Sequence, residues 1–196
     1  MQIDVRTIQL STRRLLLRPW MDSDLNDYFA FASIPIVGEM AGWKGPESLD
    51  AARSFLRTDW FRRECLAIYH LADKKVIGSF GIHDSWAQKN DKYKHLASID
   101  LGFVLHPDYW GQGIAAEAAR AVIDFAFAHM DVDLITCNHF AANTQSRRVI
   151  EKLGFTYDHQ AAVHAQQLDR HFDQLHYIQH KKDWAESSAP TEKQAQ

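Results

Sequence analysis

Cysteine is scarce: only Cys65 and Cys137 occur in 196 residues, both inside apolar runs. Two isolated thiols exclude a disulfide scaffold and suit a reducing cytosol. Neither sign of charge dominates. Lys and Arg number 22 against 25 Asp and Glu, a formal net charge of −3, so no basic excess points to nucleic acid or to an anionic membrane surface. No apolar run approaches the roughly 18 residues of a membrane span, and no basic-then-apolar targeting segment opens the chain. Internal repeats and low-complexity blocks are missing from its body. What is there is 46% apolar residues, enough to bury one sizeable core. The expectation is a soluble intracellular protein with one domain over residues 8–184. A small, polar tail over 185–196 is expected to stay disordered, since it cannot bury enough surface to offset its ordering entropy.

Periodicity predicts a strand over Gln9–Arg18 that stops at Pro19, then a helix capped by Asp22 and running from Ser23 to Ser33. Ile34–Glu47 holds three Gly, two Pro and Trp43 and reads as a loop. A second helix is expected over Glu47–Glu64, with Leu49, Ala52, Phe55, Leu56 and Trp60 on its apolar side. Strands follow at Cys65–Leu71 and Val76–His83, then a polar loop. The clearest alternation puts Ala97, Ile99, Leu101, Phe103 and Leu105 on one face of a strand. Ser98, Asp100, Gly102, Val104 and His106 fall on the other, and Pro107 stops it. An amphipathic helix spans Gly113–His129, with Ile114, Ala118, Ala121, Val122 and Phe125 as its core stripe. After a strand at Leu134–Phe140 comes a helix over Asn143–Leu153, ended by Gly154. Two further strands complete Phe155–Trp184. The βαβ unit in the middle requires a parallel pair, whereas the consecutive strands before it favour an antiparallel meander. The fold class is α/β (α+β), with a mixed, mostly antiparallel seven-stranded sheet and about four helices on its faces.

The informative stretch is Trp110-Gly111-Gln112-Gly113-Ile114-Ala115-Ala116-Glu117, between a strand and an amphipathic helix. Glycines let backbone amides approach a ligand, and the helix N-terminus adds free N–H groups and a positive dipole end. Together these suit a diphosphate. Two ligands fit such a turn. Gly111-x-Gly113-x-x-Ala116, with Asp133 about 20 residues on, formally matches the dinucleotide fingerprint. Against it, the glycines do not directly follow the strand, Asp133 precedes its strand, and no second mononucleotide half is present. The other ligand is the diphosphate of coenzyme A.

At this point the chain resembles the GCN5-related N-acetyltransferases, and most closely the branch of bacterial ribosomal-protein N-terminal acetyltransferases. The resemblance covers Ile8 to Trp184. It rests on Thr12-x-Arg14-Leu15-x-Leu17-Arg18, on the glycine turn with Glu117, on Asn143-x-x-Ser146-x-Arg148-Val149-Ile150-Glu151-Lys152-Leu153-Gly154-Phe155, and on the element order. It implies acetyl transfer from acetyl-CoA to an amine in a ternary complex. It also implies backbone contacts to the acetyl carbonyl and pantetheine from Phe103, Val104 and Leu105, and a coenzyme loop of Trp110, Gly111, Gln112, Gly113, Ile114, Ala115 and Ala116. Asn143 would hold the pantetheine arm, besides serving as an N-cap. Ser146 would protonate or hydrogen-bond the leaving thiolate. The superfamily's tyrosine acid, seven residues after the asparagine, is excluded because Ile150 stands there.

Asp100 occupies the place where relatives carry Glu as base, and a cleft could raise its pKa towards neutrality. It could equally only accept hydrogen bonds from its surroundings. His83, ending a strand, is the other candidate base. Glu117 suits the helix dipole better than catalysis. His171 and His176 are five residues apart in a strand-like segment, which does not put them on one face, and no metal is expected. The acceptor pocket is expected from Ile34–Trp43 and the last two strands, with Trp43 and Trp86 as candidate walls. The acceptor is a primary amine, with a protein α-amine among the candidates. A small amine or aminoglycoside, and a regulatory protein that binds acyl-CoA without turnover, remain alternatives. Members of the resembled branch are monomers or homodimers.

Overall fold

The computed structural model describes residues 3–188. Leu10–Ser11 (β1) and Leu15–Pro19 (β2) form a hairpin where one strand was expected, and Pro19 ends it as read from sequence. Helix α1 (Leu25–Ala32) follows a single 3-10 turn over Asp22–Asp24. Asp22 is not the cap. The Asp24 carboxylate accepts from the Met21 amide (2.9 Å) and from Arg18 (2.7 and 2.8 Å), while Asp22 pairs with Arg57 and Arg62. The expected loop carries a short helix, α2 (Pro35–Glu39), with proline in its first turn, where its missing N–H costs nothing.

The helix expected over 47–64 is two helices, α3 (Leu49–Leu56) and α4 (Asp59–Glu64). Each has its own cap: Ser48 accepts from the Ala51 amide, and Thr58 from the Phe61 amide. The break shifts the helical phase. Ala52, Leu56 and Phe61 are buried, whereas Leu49, Phe55 and Trp60 come out exposed.

The sheet continues through β3 (Cys65–His70), β4 (Lys75–Asp84), β5 (Ser98–Leu105), β6 (Leu134–Phe140), β7 (Thr156–Ala165) and β8 (Arg170–His180). It has eight strands in the order β1-β2-β3-β4-β5-β6-β8-β7, all neighbours antiparallel except β5 and β6. The remaining helices are α5 (Ile114–His129), α6 (Thr144–Lys152) and α7 (Lys181–Ser188), so the described residues hold seven α-helices where about four were expected. Helix α7 occupies the start of the segment read as a tail. Its Trp184 is buried and donates to Asp124 of α5 (2.7 Å), and residues 189–196 lie outside the described residues.

Two cores flank the sheet. On one face α5 packs Ile114, Ala118, Val122 and Ala126 against Leu17, Ile68, Phe80 and Leu101. Its buried stripe also takes in Ala115, Ala119 and Ile123, leaving the expected Ala121 and Phe125 half-buried. On the other face α1, α3 and α4 bring Tyr28, Phe31, Leu56 and Phe61 onto Trp20, Cys65 and Ala67. Strand β4 is covered on both faces, which is why Val76–Ile82 is an almost unbroken buried run. No helix among the described residues is long and apolar enough to cross a membrane.

Candidate active site

Strands β5 and β6 pair only from Ser98↔Leu134 to Leu101↔Cys137. Beyond that, β5 stays with β4 and β6 stays with β8, so the two diverge and open a fork. Which backbone groups face the fork follows from strand alternation. The His106 amide donates to Ile77 O of β4 (2.8 Å), so the groups of Val104 also face β4. Those of Phe103 and Leu105 face the fork, where the Leu105 carbonyl accepts from the Trp110 indole (2.9 Å). Of the three expected backbone contacts, Phe103 and Leu105 therefore present polar groups to the opening.

Past Pro107–Tyr109 the chain turns through Gly111 (φ +73°) and Gly113 (φ +75°), a left-handed geometry that strains any residue with a Cβ. A Cβ at Gly111 would meet nothing within 4 Å, so its surface is open to a ligand. Gly113 is the N-cap of α5 and offers no side-chain cap, which leaves the helix's first N–H groups to an incoming anion. Glu117 does not reach the cleft. It accepts from Thr12 Oγ1 (2.6 Å), the Arg14 amide (2.9 Å) and Arg14 Nε (2.7 Å), tying the β1–β2 hairpin to α5. Burial pushes its carboxyl up, but these hydrogen bonds outweigh burial and hold it below the usual range. Across the fork, Asn143 caps α6 by accepting from the Ser146 amide (3.1 Å), while its own amide donates to Met40 O (3.3 Å). Ser146 sits one turn in, on the cleft wall.

At the fork's vertex His83 of β4 lies opposite Asp100 of β5. Glu64, the last residue of α4, holds His83 Nδ1 at 2.8 Å. That contact leaves Nε2 over Gly81, where an added Cβ would come within 2.1 Å of it, so only glycine admits the ring there. Trp60 stacks on the imidazole (centroids 5.7 Å, planes 12° apart). Asp100 takes hydrogen bonds from Thr136 Oγ1 (2.5 Å) and Asn138 Nδ2 (3.3 Å). Its surroundings desolvate the carboxyl, which outweighs these bonds and raises it to about 7.

A cavity of about 1230 Å³ joins these parts. It is lined by Asp100, His83, Asn143, Ser146, and every expected coenzyme residue except Gln112, whose side chain folds back to Asp108 O (2.7 Å). Arg148 and Lys152 add positive charge. Val37, Met40, Trp43 and Gln174 line it as expected for the acceptor side. Trp86 does not: it packs against Tyr93, His159 and His176 beyond the cleft. His171 stacks on His164 instead of facing His176, and no group of three His, Cys, Asp or Glu among the described residues could hold a metal ion. Asp133, the acidic residue of the dinucleotide reading, accepts from the Ala97 amide (3.1 Å) at the base of the β5–β6 pair. Sequence reasoning missed Glu64 and Asn138. It also put Phe55 and Trp60 in a core. The Thr58-Asp59 pair, a helix start in mid-helix, was the available signal for the break that exposes them.

A family model described as acetyltransferase (GNAT) domain matches residues 14–156. The uncharacterized N-acetyltransferase YoaA of Bacillus subtilis is 29% identical over 151 residues, which span 74% of this chain and 81% of that protein. YdaF of the same organism, named as a candidate ribosomal N-acetyltransferase, is 25% identical over 145 residues, spanning 72% and 75%. A spermidine N-acetyltransferase from Vibrio cholerae, solved in complex with CoA and spermine, shares the fold with a TM-score of 0.72 at 15% identity. That match covers 89% of this chain and 99% of that one.

Proposed function

The chain belongs to the GNAT acetyltransferase family, and from that premise we propose how its cleft moves an acetyl group from acetyl-CoA to a primary amine. The observation that carries the reading is the fork. The backbone amides of Phe103 and Leu105 lead on one side into the left-handed glycines and the uncapped α5 N-terminus. On the other side they lie beside an imidazole whose tautomer a carboxylate fixes. The glycine turn, the α5 amides and the cations Arg148 and Lys152 suit the diphosphate of coenzyme A. The amides of Phe103 and Leu105 suit pantetheine and the thioester carbonyl, where an oxyanion develops.

His83 Nε2 takes a proton from the incoming ammonium while Nδ1–H donates to Glu64. The neutral amine attacks the thioester carbon, a C–N bond forms and the carbonyl electrons move to oxygen. The tetrahedral species collapses, the C–S bond breaks, and the remaining ammonium proton passes to the thiolate with the Ser146 hydroxyl as relay. The products are the acetamide, CoA thiol and one proton on His83. Asp100, named beside Ser146 as catalytic on sequence grounds, is read as a positioning group: its carboxylate is taken up by Thr136 and Asn138 at the vertex. Placing both substrates side by side supplies much of the acceleration.

A protein α-amine as acceptor draws its support from YdaF's name and from the sequence run Asn143–Phe155. The test is CoA-thiol release with acetyl-CoA and a panel of amines, with acetyl-CoA binding followed by thermal unfolding and NAD as the control ligand. Stabilisation by acetyl-CoA, with thiol release that depends on an amine, is expected. Ser146→Ala is expected to lower kcat more than acetyl-CoA affinity. Stabilisation without turnover of any amine would instead make the protein a binder of acyl-CoA.

A further inference from the structure

The cleft's acceptor side has a composition of its own. From His83 outward the rings form a continuous chain: Trp60 on His83 (5.7 Å), Phe55 on Trp60 (6.2 Å), and Tyr28 stacked on Phe55 (6.1 Å, planes 7° apart). Phe55 and Trp60 are 38% and 47% exposed, and both line the cavity. Large rings that stay exposed on a concave wall beside a base are placed to cover an apolar body. Charge points the same way. Of the carboxylates, Asp100 alone belongs to the cavity lining, and its oxygens already serve Thr136 and Asn138. Glu64 is engaged by His83. The other charged lining group on this side, Lys44, is a cation already paired with Glu47 (2.6 Å), and Arg148 and Lys152 belong to the coenzyme side. A polyamine or aminoglycoside brings two or more positive charges, and this wall has no second free carboxylate to receive them.

Resting on the acetyl-transfer reading above, we infer that the acceptor is a primary monoamine carrying an aromatic or similarly large apolar group one or two carbons from its nitrogen. The group would lie along Tyr28, Phe55 and Trp60 and direct the nitrogen to His83 Nε2. The same chemistry is offered by a free arylalkylamine and by a peptide whose first residue is aromatic.

The test compares kcat/KM for 2-phenylethylamine, a peptide beginning with Phe, a peptide beginning with Ala and spermidine, each at saturating acetyl-CoA. One of the two aromatic amines is expected to exceed both alanine peptide and spermidine by tenfold or more, and which one leads identifies the source. Phe55→Ala is expected to raise KM for the aromatic amine about tenfold with kcat nearly unchanged. Phe55→Glu, at a site exposed enough to accept charge, is expected to shift the ratio of spermidine to aromatic amine upward by tenfold or more. Preference for spermidine or the alanine peptide, or ratios unmoved by both variants, would overturn the inference while leaving acetyl transfer intact. Acetyl-CoA binding with no turnover of any of the four would overturn the inference, and the same result across the wider amine panel would overturn acetyl transfer as well.

Discussion

Asp100→Asn probes the fork's vertex through stability alone. The Asp100 carboxyl is raised from the ordinary 3.8 to about 7, chiefly because the surrounding atoms desolvate its charged form. The native state therefore holds a proton that the unfolded chain has already released, and stability falls as pH rises between the two values. A three-unit shift corresponds to about 4 kcal/mol in full. Integrated from pH 5 to pH 8 it gives a loss of roughly 2–3 kcal/mol, because part of the penalty is already present at pH 5. Asparagine has the same shape and cannot ionise. It forfeits one hydrogen bond, since Asn138 Nδ2 would then face a second amide donor; that loss, about 1 kcal/mol, is independent of pH. Urea unfolding of wild type and variant at pH 5 and pH 8 isolates the effect, because every other titrating group cancels in the difference. The wild type should lose roughly 2–3 kcal/mol more than Asp100→Asn across that interval, so the variant's advantage should be widest at pH 8. Parallel losses in the two proteins would mean that Asp100 titrates normally, and the account of a desolvated vertex would be wrong.

Three further outcomes follow from the same geometry. His83→Gln should lower kcat by about 10²-fold or more without changing the acetyl-CoA stabilisation, and Glu64→Gln by less, since Glu64 acts through His83; unchanged rates would remove His83 as base. Gly113→Val forces a β-branched residue into φ +75° at a backbone cost of about 1–2 kcal/mol and should weaken acetyl-CoA binding; equal affinity by calorimetry would contradict the diphosphate site. Glu117→Ala removes the acceptor of three hydrogen bonds that join Thr12 and Arg14 to α5 and should cost about 2–3 kcal/mol at neutral pH. Because those bonds hold the carboxyl below its usual range, the deficit should shrink as pH falls into the acid range, and a deficit constant in pH would mean the bonds are not those of an ionised group.

The parts of the site that were legible in the sequence are local ones. The glycine turn announces itself because left-handed backbone needs glycine, and Asn143 because a cap acts within one helical turn. The alternation of Ser98–Leu105 gave the strand and its buried Ile99, Leu101 and Leu105, because period two is a property of one strand. What failed depends on partners distant in sequence. The 47–64 segment has a continuous apolar period, yet it breaks at Arg57–Thr58, and that break turns Phe55 and Trp60 from core residues into a wall. Trp86 stands alone in a polar loop, where nothing local separates a pocket wall from packing, and its neighbours His159 and His176 come from the last hairpin. The pairing of His83 with Asp100 is set by β4–β5 register across a long connection, and no local period encodes it. Glu64 drew no attention because a helix-ending Glu is ordinary until the ring it meets is known.

The fork explains why these distant residues meet at one level. Only one neighbouring pair in the sheet is parallel, and it lasts four residues because each member is held from outside by an antiparallel partner. The vertex is therefore the last position where both strands still share a ladder, at Leu101↔Cys137. Asp100 sits one residue before it and accepts from Thr136, its register partner on β6, so this carboxyl bonds across the point where the strands part. His83 stands on Asp100's other side by the β4 register, which sets the imidazole where the opening begins. Donors along the open arm must come after the vertex, and Phe103 and Leu105 do. The α5 and α6 N-termini each follow the end of one arm after a short connection, so both helix ends converge on the same gap. A sheet that kept β5 and β6 paired as far as Leu105 would keep its core and lose the free amides. The site is thus a consequence of where one parallel ladder stops, and the catalytic geometry should be more sensitive to that register than to any single lining side chain.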